Sequence, residues 1–168
     1  STLGFVLKKP ALEIKKFTVL GIDSSTVSNT WKPIWGEVKE VNNQYNELIL
    51  HVTSNGVLVD LIFRVFDDGL GLRYHFPVQT GIQHFIVDQE LTQFNMSGDH
   101  TAFWIPGDYD SNEYTYNKSK LSEIDATTAA AKEKDIALTA LMGKNVVQTP
   151  LMMKSANGFY LNIHEAAL

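Results

Sequence analysis

The clearest pattern in the sequence is a regular alternation of side chains in its middle third. From Val57 to Val65 every odd position is apolar, whereas the even positions mix apolar and charged residues. A period of two with β-branched and aromatic residues predicts a strand whose apolar face lies on a core. The alternation resumes from Leu70 to Phe76, after the turn sequence Asp67-Asp68-Gly69, in which we expect the glycine to adopt a left-handed conformation. The two runs therefore predict a long β-hairpin.

Further strands are predicted on both sides of this hairpin. Glu47 to Thr53 reaches it through the turn sequence Ser54-Asn55-Gly56, which predicts a meander of at least three strands. A second hairpin is predicted around Ser155-Ala156-Asn157-Gly158, between two apolar runs. These two runs and the other strand candidates are Pro150 to Lys154, Phe159 to His164, Leu12 to Leu20, Trp31 to Val41 (ending at Asn42-Asn43), Ile82 to Phe94 and Phe103 to Ile105. Many short strands separated by turn residues are typical of an antiparallel β-sandwich, so we expect a mainly β fold.

Two stretches interrupt the strand pattern. Pro106 to Lys120 is rich in Asp, Asn, Ser and Tyr, which predicts a long surface loop. Asp125 to Met142 is rich in alanine, begins with a residue that can cap a helix and is followed by Gly143. A short helix and a solvated, mobile connection both remain open for this stretch. The fold should contain one short helix at most.

Composition excludes several classes of protein. The chain has 168 residues, a length that suggests one domain, and 44% hydrophobic with 20% charged residues excludes global disorder. A net charge of −5 without a block of lysines and arginines argues against nucleic acid and against an anionic membrane surface. No run of about 18 apolar residues is present, so no membrane-spanning segment is predicted. The absence of cysteine excludes thiol catalysis, disulfides and cysteine-based zinc sites.

One polar segment suits carbohydrate chemistry. Carboxylates alternate with aromatic rings there, and glycoside hydrolysis requires paired carboxylates, while sugars stack on aromatic faces. A solvated loop has the same composition, so both interpretations remain open. The residues concerned are Asp108, Asp110 and Glu113, with Tyr109, Tyr114 and Tyr116.

Metal and nucleophile chemistry are less well supported by the residues themselves. Glu165 follows a predicted strand and could supply one oxygen ligand to a hard cation such as calcium, although a surface carboxylate is the simpler interpretation. Its neighbour His164 should point to the opposite face. The remaining histidines lie at scattered positions without zinc-ligand spacing, and the nucleophile-elbow motif of serine hydrolases does not occur.

Several segments of the chain resemble the N-terminal domain of glycoside hydrolase family 97, the α-glucosidases and α-galactosidases of Bacteroides-type polysaccharide utilisation. The most specific is the closing Gly158 to Leu168, which contains the string Ile163-His164-Glu165-Ala166. The segment from Asp125 to Val147 carries no resemblance. The other matching segments are Leu3 to Phe5, Trp31 to Glu37, Phe63 to Leu70, Leu72 to Tyr74, Tyr109 to Tyr114, Lys120 to Ile124 and Thr149 to Leu151.

The resemblance implies a specific architecture for the parent protein. It implies a β-supersandwich similar to galactose mutarotase, then a catalytic (β/α)8 barrel on which this domain packs, and a small C-terminal sandwich. It also implies a calcium ion held mainly by barrel glutamates, with Glu165 of the His-Glu-Ala motif as the one ligand from this domain. No catalytic residue is expected within these 168 positions.

The family's N-terminal domain is longer than this chain, so residues 1–168 are expected to be its first part, truncated and inactive alone. Its strand edges would be exposed, so the chain should self-associate, pair through those edges or be partly disordered. The parent would hydrolyse α-linked oligosaccharides in the periplasm, with glucose or galactose specificity and an inverting or a retaining course both open. Two alternatives belong to other classes. One is a free-standing carbohydrate-binding or mutarotase-like module, and the other is a structural domain that assembles through its sheet edges.

Overall fold

The structure, a computed structural model, describes residues 2–166, and every strand pair in it is antiparallel. The chain forms two compact units, residues 1–94 and 95–168, each with its own apolar core. The predicted mainly β fold with at most one short helix is confirmed. Within the described residues no helix is long or apolar enough to span a membrane.

Residues 1–94 form a sandwich of two sheets. One sheet has the order β2-β1-β7 and the other the order β3-β4-β5-β6. Seven buried apolar residues from both sheets form the core between them, among them Leu7 and Ile14 from the small sheet and Val59 from the large one. The strands are β1 (Phe5–Lys9), β2 (Leu12–Ile14), β3 (Thr18–Trp31), β4 (Val41–Ser54), β5 (Val57–Val65), β6 (Leu70–His75) and β7 (Ile86–Glu90).

The central hairpin is confirmed together with the meander. Val65 pairs with Leu70 at its closed end, and the odd positions Val57, Val59 and Leu61 are buried as the alternation requires. The turn between β4 and β5 is the two-residue loop Asn55-Gly56, with φ of 50° and 81°. Positive φ at both positions matches the right-handed twist of the flanking strands, which explains the preference for Asn-Gly at this point.

Three predictions in residues 1–94 are wrong. Trp31 to Val41 is not a strand: β3 ends and β4 begins at these two residues, and Asn42-Asn43 lies inside β4 rather than in a turn. The side chain of Asn43 donates to that of Asn29 across 2.9 Å, so cross-strand amide pairing compensates for the low strand propensity of asparagine. Gly69 does not have the left-handed φ that was expected. Phe66 N donates to the carbonyl of Gly69 at 2.9 Å, which closes this turn without a positive φ.

Two other strand predictions in this unit are correct in part. The run from Leu12 to Leu20 is interrupted between β2 and β3, where Lys16 has a φ of 58°. Only Ile86–Glu90 of the run from Ile82 to Phe94 forms a strand.

Residues 95–168 contain one four-stranded sheet and the only helical turns of the described chain. The sheet has the order β11-β10-β8-β9, and its buried face, with Trp104 and Met153, packs on two alanines of the helix. The predicted hairpin around Gly158, whose φ is 89°, is confirmed. The elements are β8 (Thr101–Trp104), β9 (Asn117–Lys120), a 3-10 helix (Leu121–Glu123), α1 (Ala126–Ala130), β10 (Leu151–Lys154) and β11 (Tyr160–Ile163).

The alanine-rich stretch contains a helix of five residues. Asp125 caps it as predicted, because its carboxylate accepts the main-chain N–H of Thr128 at 2.9 Å. The helix ends at Ala130 and does not extend to Gly143. Only Ala126 and Ala129 reach the core, so packing supports little more than one turn.

Candidate functional site

Glu165 is exposed and follows the end of β11. The strand ends at Ile163, so His164 and Glu165 lie outside the regular alternation, and both are exposed. Calcium takes six to eight oxygen ligands, and within residues 2–166 no three acidic or histidine side chains are grouped as a metal site would require. Glu165 therefore fits a calcium site only as one ligand among several that other residues would supply.

The segment from Pro106 to Lys120, which contains the carboxylates and tyrosines, is not the solvated surface loop that was predicted. Its last four residues form β9, and Asp108 and Tyr114 are buried, with exposed fractions of 6% and 5%. Tyr114 donates its hydroxyl to Oδ2 of Asp108 at 2.7 Å, and the N–H groups of Asp110 and Ser111 donate to Oδ1. Ala140 N also donates to this carboxylate, at 2.9 and 3.0 Å from its two oxygens.

These contacts define the chemistry that is open to Asp108. Burial alone would raise its pKa, but the hydrogen bonds from Ala140, Tyr114 and the neighbouring N–H groups outweigh burial and lower the pKa. Burial, together with the hydrogen bond to this carboxylate, raises the pKa of Tyr114 to about 12. A buried carboxylate with all its acceptor positions engaged holds loops in place and does not reach a substrate. Asp110, Glu113, Tyr109 and Tyr116 of the same segment are exposed.

A second polar cluster lies on the solvent-facing side of the large sheet. His51 Nδ1 lies 2.7 Å from Oδ1 of Asp60, and His75 Nδ1 lies 2.8 Å from Oδ2 of the same carboxylate. His51 Nε2 lies 3.0 Å from Oδ2 of Asp23. The four residues thus form a row across β3, β4, β5 and β6.

His51 and Asp60 in this row shift each other's pKa in the direction that favours the charged forms. Hydrogen bonds to Asp23 and then to Asp60 raise the pKa of His51, since both imidazole nitrogens can donate only in the protonated ring. Burial would raise the pKa of Asp60, but the hydrogen bonds from His75 and His51 outweigh it and lower the pKa. Protonation of His51 therefore strengthens its contacts with Asp23 and Asp60 on the neighbouring strands.

His51 and His75 lie far apart in the sequence, but the sequence carries a signal for the row. Ser54 pairs with Val57 around the Asn-Gly turn, and three residues further along each strand this register brings His51 opposite Asp60. The same counting from the next turn brings Asp60 opposite His75. Register counted from these two turns would therefore have brought His51, Asp60 and His75 together. It would not have found Asp23, because the residue opposite Asp23 is Ile49.

Comparison with known proteins decides the family. The family model described as Glycosyl-hydrolase 97 N-terminal matches residues 1–168. The chain belongs to this family. The resemblance stated from the sequence is thereby confirmed over the whole chain.

Solved structures agree with this family 97 membership. A variant of a Glycoside Hydrolase Family 97 enzyme from Pseudoalteromonas sp. strain K8 is 29% identical with a TM-score of 0.81, and the match covers 100% of this chain and 23% of that one. The same enzyme in complex with acarbose gives 30% identity, a TM-score of 0.77, and coverage of 99% and 23%. A beta-arabinopyranosidase shares the fold at 19% identity and a TM-score of 0.74, covering 99% of this chain and 26% of that one. This chain thus spans about a quarter of the length of these enzymes.

Proposed function

We propose that this chain is the first part of the N-terminal domain of a periplasmic, calcium-dependent α-glycosidase that hydrolyses α-linked oligosaccharides. The observation that carries the proposal is the family match over all 168 residues. It is supported by the Pseudoalteromonas enzyme, which is described in complexes with panose and with acarbose. Because the chain spans 23% of that enzyme, the reaction itself would belong to the rest of the protein, and this part would be inactive alone.

In this proposal the domain packs on a catalytic (β/α)8 barrel and lends it one side chain. Glu165 is suited to that task because it is exposed, follows the end of a strand and makes no ion pair within the described residues. The remaining oxygen ligands would come from barrel carboxylates. When bound, calcium would supply positive charge that polarises the scissile bond or positions water.

The bond cleavage would follow the two-carboxylate scheme of glycoside hydrolysis. One carboxylic acid protonates the leaving oxygen, and a second carboxylate activates water or attacks the sugar. Neither role is assigned to a residue of this chain. The buried Asp108 is engaged by Tyr114 and by main-chain N–H groups, which supports its exclusion from the reaction.

The test is an assay of the full-length protein on nitrophenyl α-glucoside and nitrophenyl α-galactoside, with and without a calcium chelator. We expect Glu165→Gln to weaken calcium binding, so that the variant requires at least about tenfold more calcium for half-maximal activity. Asp135→Asn is the matched control, because Asp135 is an exposed carboxylate outside the strands and the helix. It should behave as the wild type.

The outcomes separate the parts of the proposal. Activity on either substrate that the chelator does not reduce would refute calcium dependence. Calcium-dependent activity that Glu165→Gln leaves unchanged would refute the assigned ligand. Absence of activity, with sugar binding retained by the isolated domain, would favour the free-standing carbohydrate-binding or mutarotase-like module, which stays a prediction.

A further inference from the structure

The solvent-facing side of the sheet in residues 95–168 carries a row of basic and aromatic side chains. Lys154, Thr101 and Lys120 lie directly opposite one another on β10, β8 and β9. Directly opposite residues share a sheet face with about 5 Å between their Cβ atoms, so Thr101 lies between two lysines about 10 Å apart. Tyr160 extends the row onto β11, with its ring centre 5.0 Å from Nζ of Lys154.

A second row runs parallel to the first on the same face. Phe103 lies opposite Lys118 on one side and Met152 on the other, and Nζ of Lys118 lies 5.9 Å from the centre of the Phe103 ring. Asn162 completes this row on β11. The two rows together place three ammonium groups and two aromatic rings on one face, and none of their eight residues is acidic.

Within the described part of the chain the three lysines of this face form no salt bridge. Nζ of Lys120 donates to the main-chain carbonyl of Asp99 at 3.2 Å. The carboxylate of Asp99 lies beside this face and accepts the N–H of Ser122 at 3.0 Å and its hydroxyl at 2.8 Å. These hydrogen bonds, with a smaller contribution from the charge of Lys120, lower the pKa of Asp99, so it offsets part of the positive charge. The molecule as a whole has a charge of −5, whereas this face carries three lysines.

A cavity of about 240 Å³ opens where the first row meets the neighbouring loops. Lys120, Lys154 and Thr101 line it together with Asp99, and Ser97 and Asn157 add further polar groups. The two lysines outnumber the single carboxylate of this lining, so its net charge is positive. Two ammonium groups on either side of a hydroxyl offer charge-assisted hydrogen bonds to a small anionic group. The aromatic rings beside them offer apolar faces of the kind against which sugar rings pack.

We propose that this cavity binds the carboxylate or sulfate group of an anionic sugar. Lys120 and Lys154 hold the anionic group from both sides, Thr101 donates its hydroxyl to it, and Tyr160 packs against the adjoining ring. A neutral sugar gains nothing from the two ammonium groups, so charge is the basis of selection. The inference does not depend on the reaction proposed above, since it concerns only residues of this chain.

The test is isothermal titration of the full-length protein with three probes: sodium sulfate, trigalacturonate and the neutral maltotriose. We expect sulfate and trigalacturonate to bind and maltotriose not to compete with them. The double variant Lys120→Gln with Lys154→Gln should weaken trigalacturonate binding by about tenfold or more. The matched control Lys8→Gln with Lys39→Gln makes the same change in net charge at exposed lysines of the other unit, and it should bind as the wild type.

Two further measurements keep the proposal testable if the glutamine variant folds poorly. Replacement of both lysines by arginine keeps the charge and should restore binding. Binding to the wild type should weaken as ionic strength rises from about 0.05 to about 0.5 M, because salt screens exposed charges.

Several outcomes would overturn the proposal. Equal affinity of the glutamine variant and the wild type for trigalacturonate would show that Lys120 and Lys154 do not bind it. Binding of sulfate without binding of trigalacturonate would reduce the site to a simple anion site. Tighter binding of a DNA duplex or of vesicles with anionic lipid, lost in the same variant, would assign the face to another class of partner.

Discussion

The hydroxyl of Tyr114 donates to the carboxylate of Asp108 across 2.7 Å inside the unit formed by residues 95–168. The same carboxylate accepts the N–H of Ala140, which is 32 positions further along the chain. One buried acid therefore adds side-chain hydrogen bonds between two loops that the bridge from Asp108 to Leu141 also joins. Stability, rather than catalysis, should depend on this pair.

Tyr114→Phe should lower the free energy of unfolding by about 1–2 kcal/mol, because it removes one hydrogen bond to a buried charge and leaves the ring in place. Chemical denaturation of the wild type and the variant measures the difference. Tyr116→Phe is the control, since Tyr116 is 67% exposed, and it should change stability little. Equal stability of Tyr114→Phe and the wild type would contradict the role assigned to the pair.

The buried position of Asp108 could not be predicted from the sequence. The segment from Pro106 to Lys120 has the composition of a solvated loop, and the donor from Ala140 comes from a segment without a strand pattern. A buried carboxylate is tolerated only when its partners are in place. Those partners are set by long-range folding, which local composition does not report.

The central meander, in contrast, was predictable because its information is local. The Asn55-Gly56 turn fixes the register of β4 and β5, and the alternation from Val57 fixes which side faces the core. The prediction failed at Asn42-Asn43, where turn-forming residues lie inside a long strand whose partner supplies polar side chains. Tertiary pairing overrode residue preference there.

The row of His51 and Asp60 predicts a pH dependence of stability. The raised pKa of His51 means that its contribution is fully present below pH 6.5 and is lost as the pH rises through the higher folded value. We expect the wild type to lose stability as the pH rises above 6.5, and His51→Asn to lose less over the same range. Denaturant unfolding across this range measures the difference. His84→Asn, at an exposed histidine, should follow the wild type.

The two glycines of the central turns should respond differently to alanine. Gly56 has a φ of 81°, so Gly56→Ala should cost about 1–2 kcal/mol, the penalty of a left-handed conformation for a residue with a Cβ atom. Gly69 has neither a left-handed φ nor any neighbouring atom that a Cβ would meet, so Gly69→Ala should be neutral or slightly stabilising. Thermal unfolding of both variants checks this contrast. Equal losses would mean that the two turns share a conformation.

Self-association of the isolated 168-residue chain through sheet edges is a further prediction. Within the described residues β3 pairs only with β4, and Ile22 on this edge strand is 62% exposed. An exposed edge strand with an apolar side chain invites pairing between copies. Sedimentation velocity should show concentration-dependent oligomers, and Ile22→Lys should reduce them. Leu138→Lys, at a loop residue that is 72% exposed, is the control and should leave them unchanged.

The different lengths of the strands in the large sheet have a consequence for its dynamics. β4 continues from Tyr45 to Val41 without β5 beside it, so the far end of the β3–β4 ribbon is held by a single ladder and a few side-chain amides. Amide protons there should exchange with deuterium through opening of the ribbon alone. Amide protons near Val52 should exchange only when the whole sandwich unfolds. Fraying would thus begin at Trp31 and Val41 and travel inward to the first position where a third strand takes part.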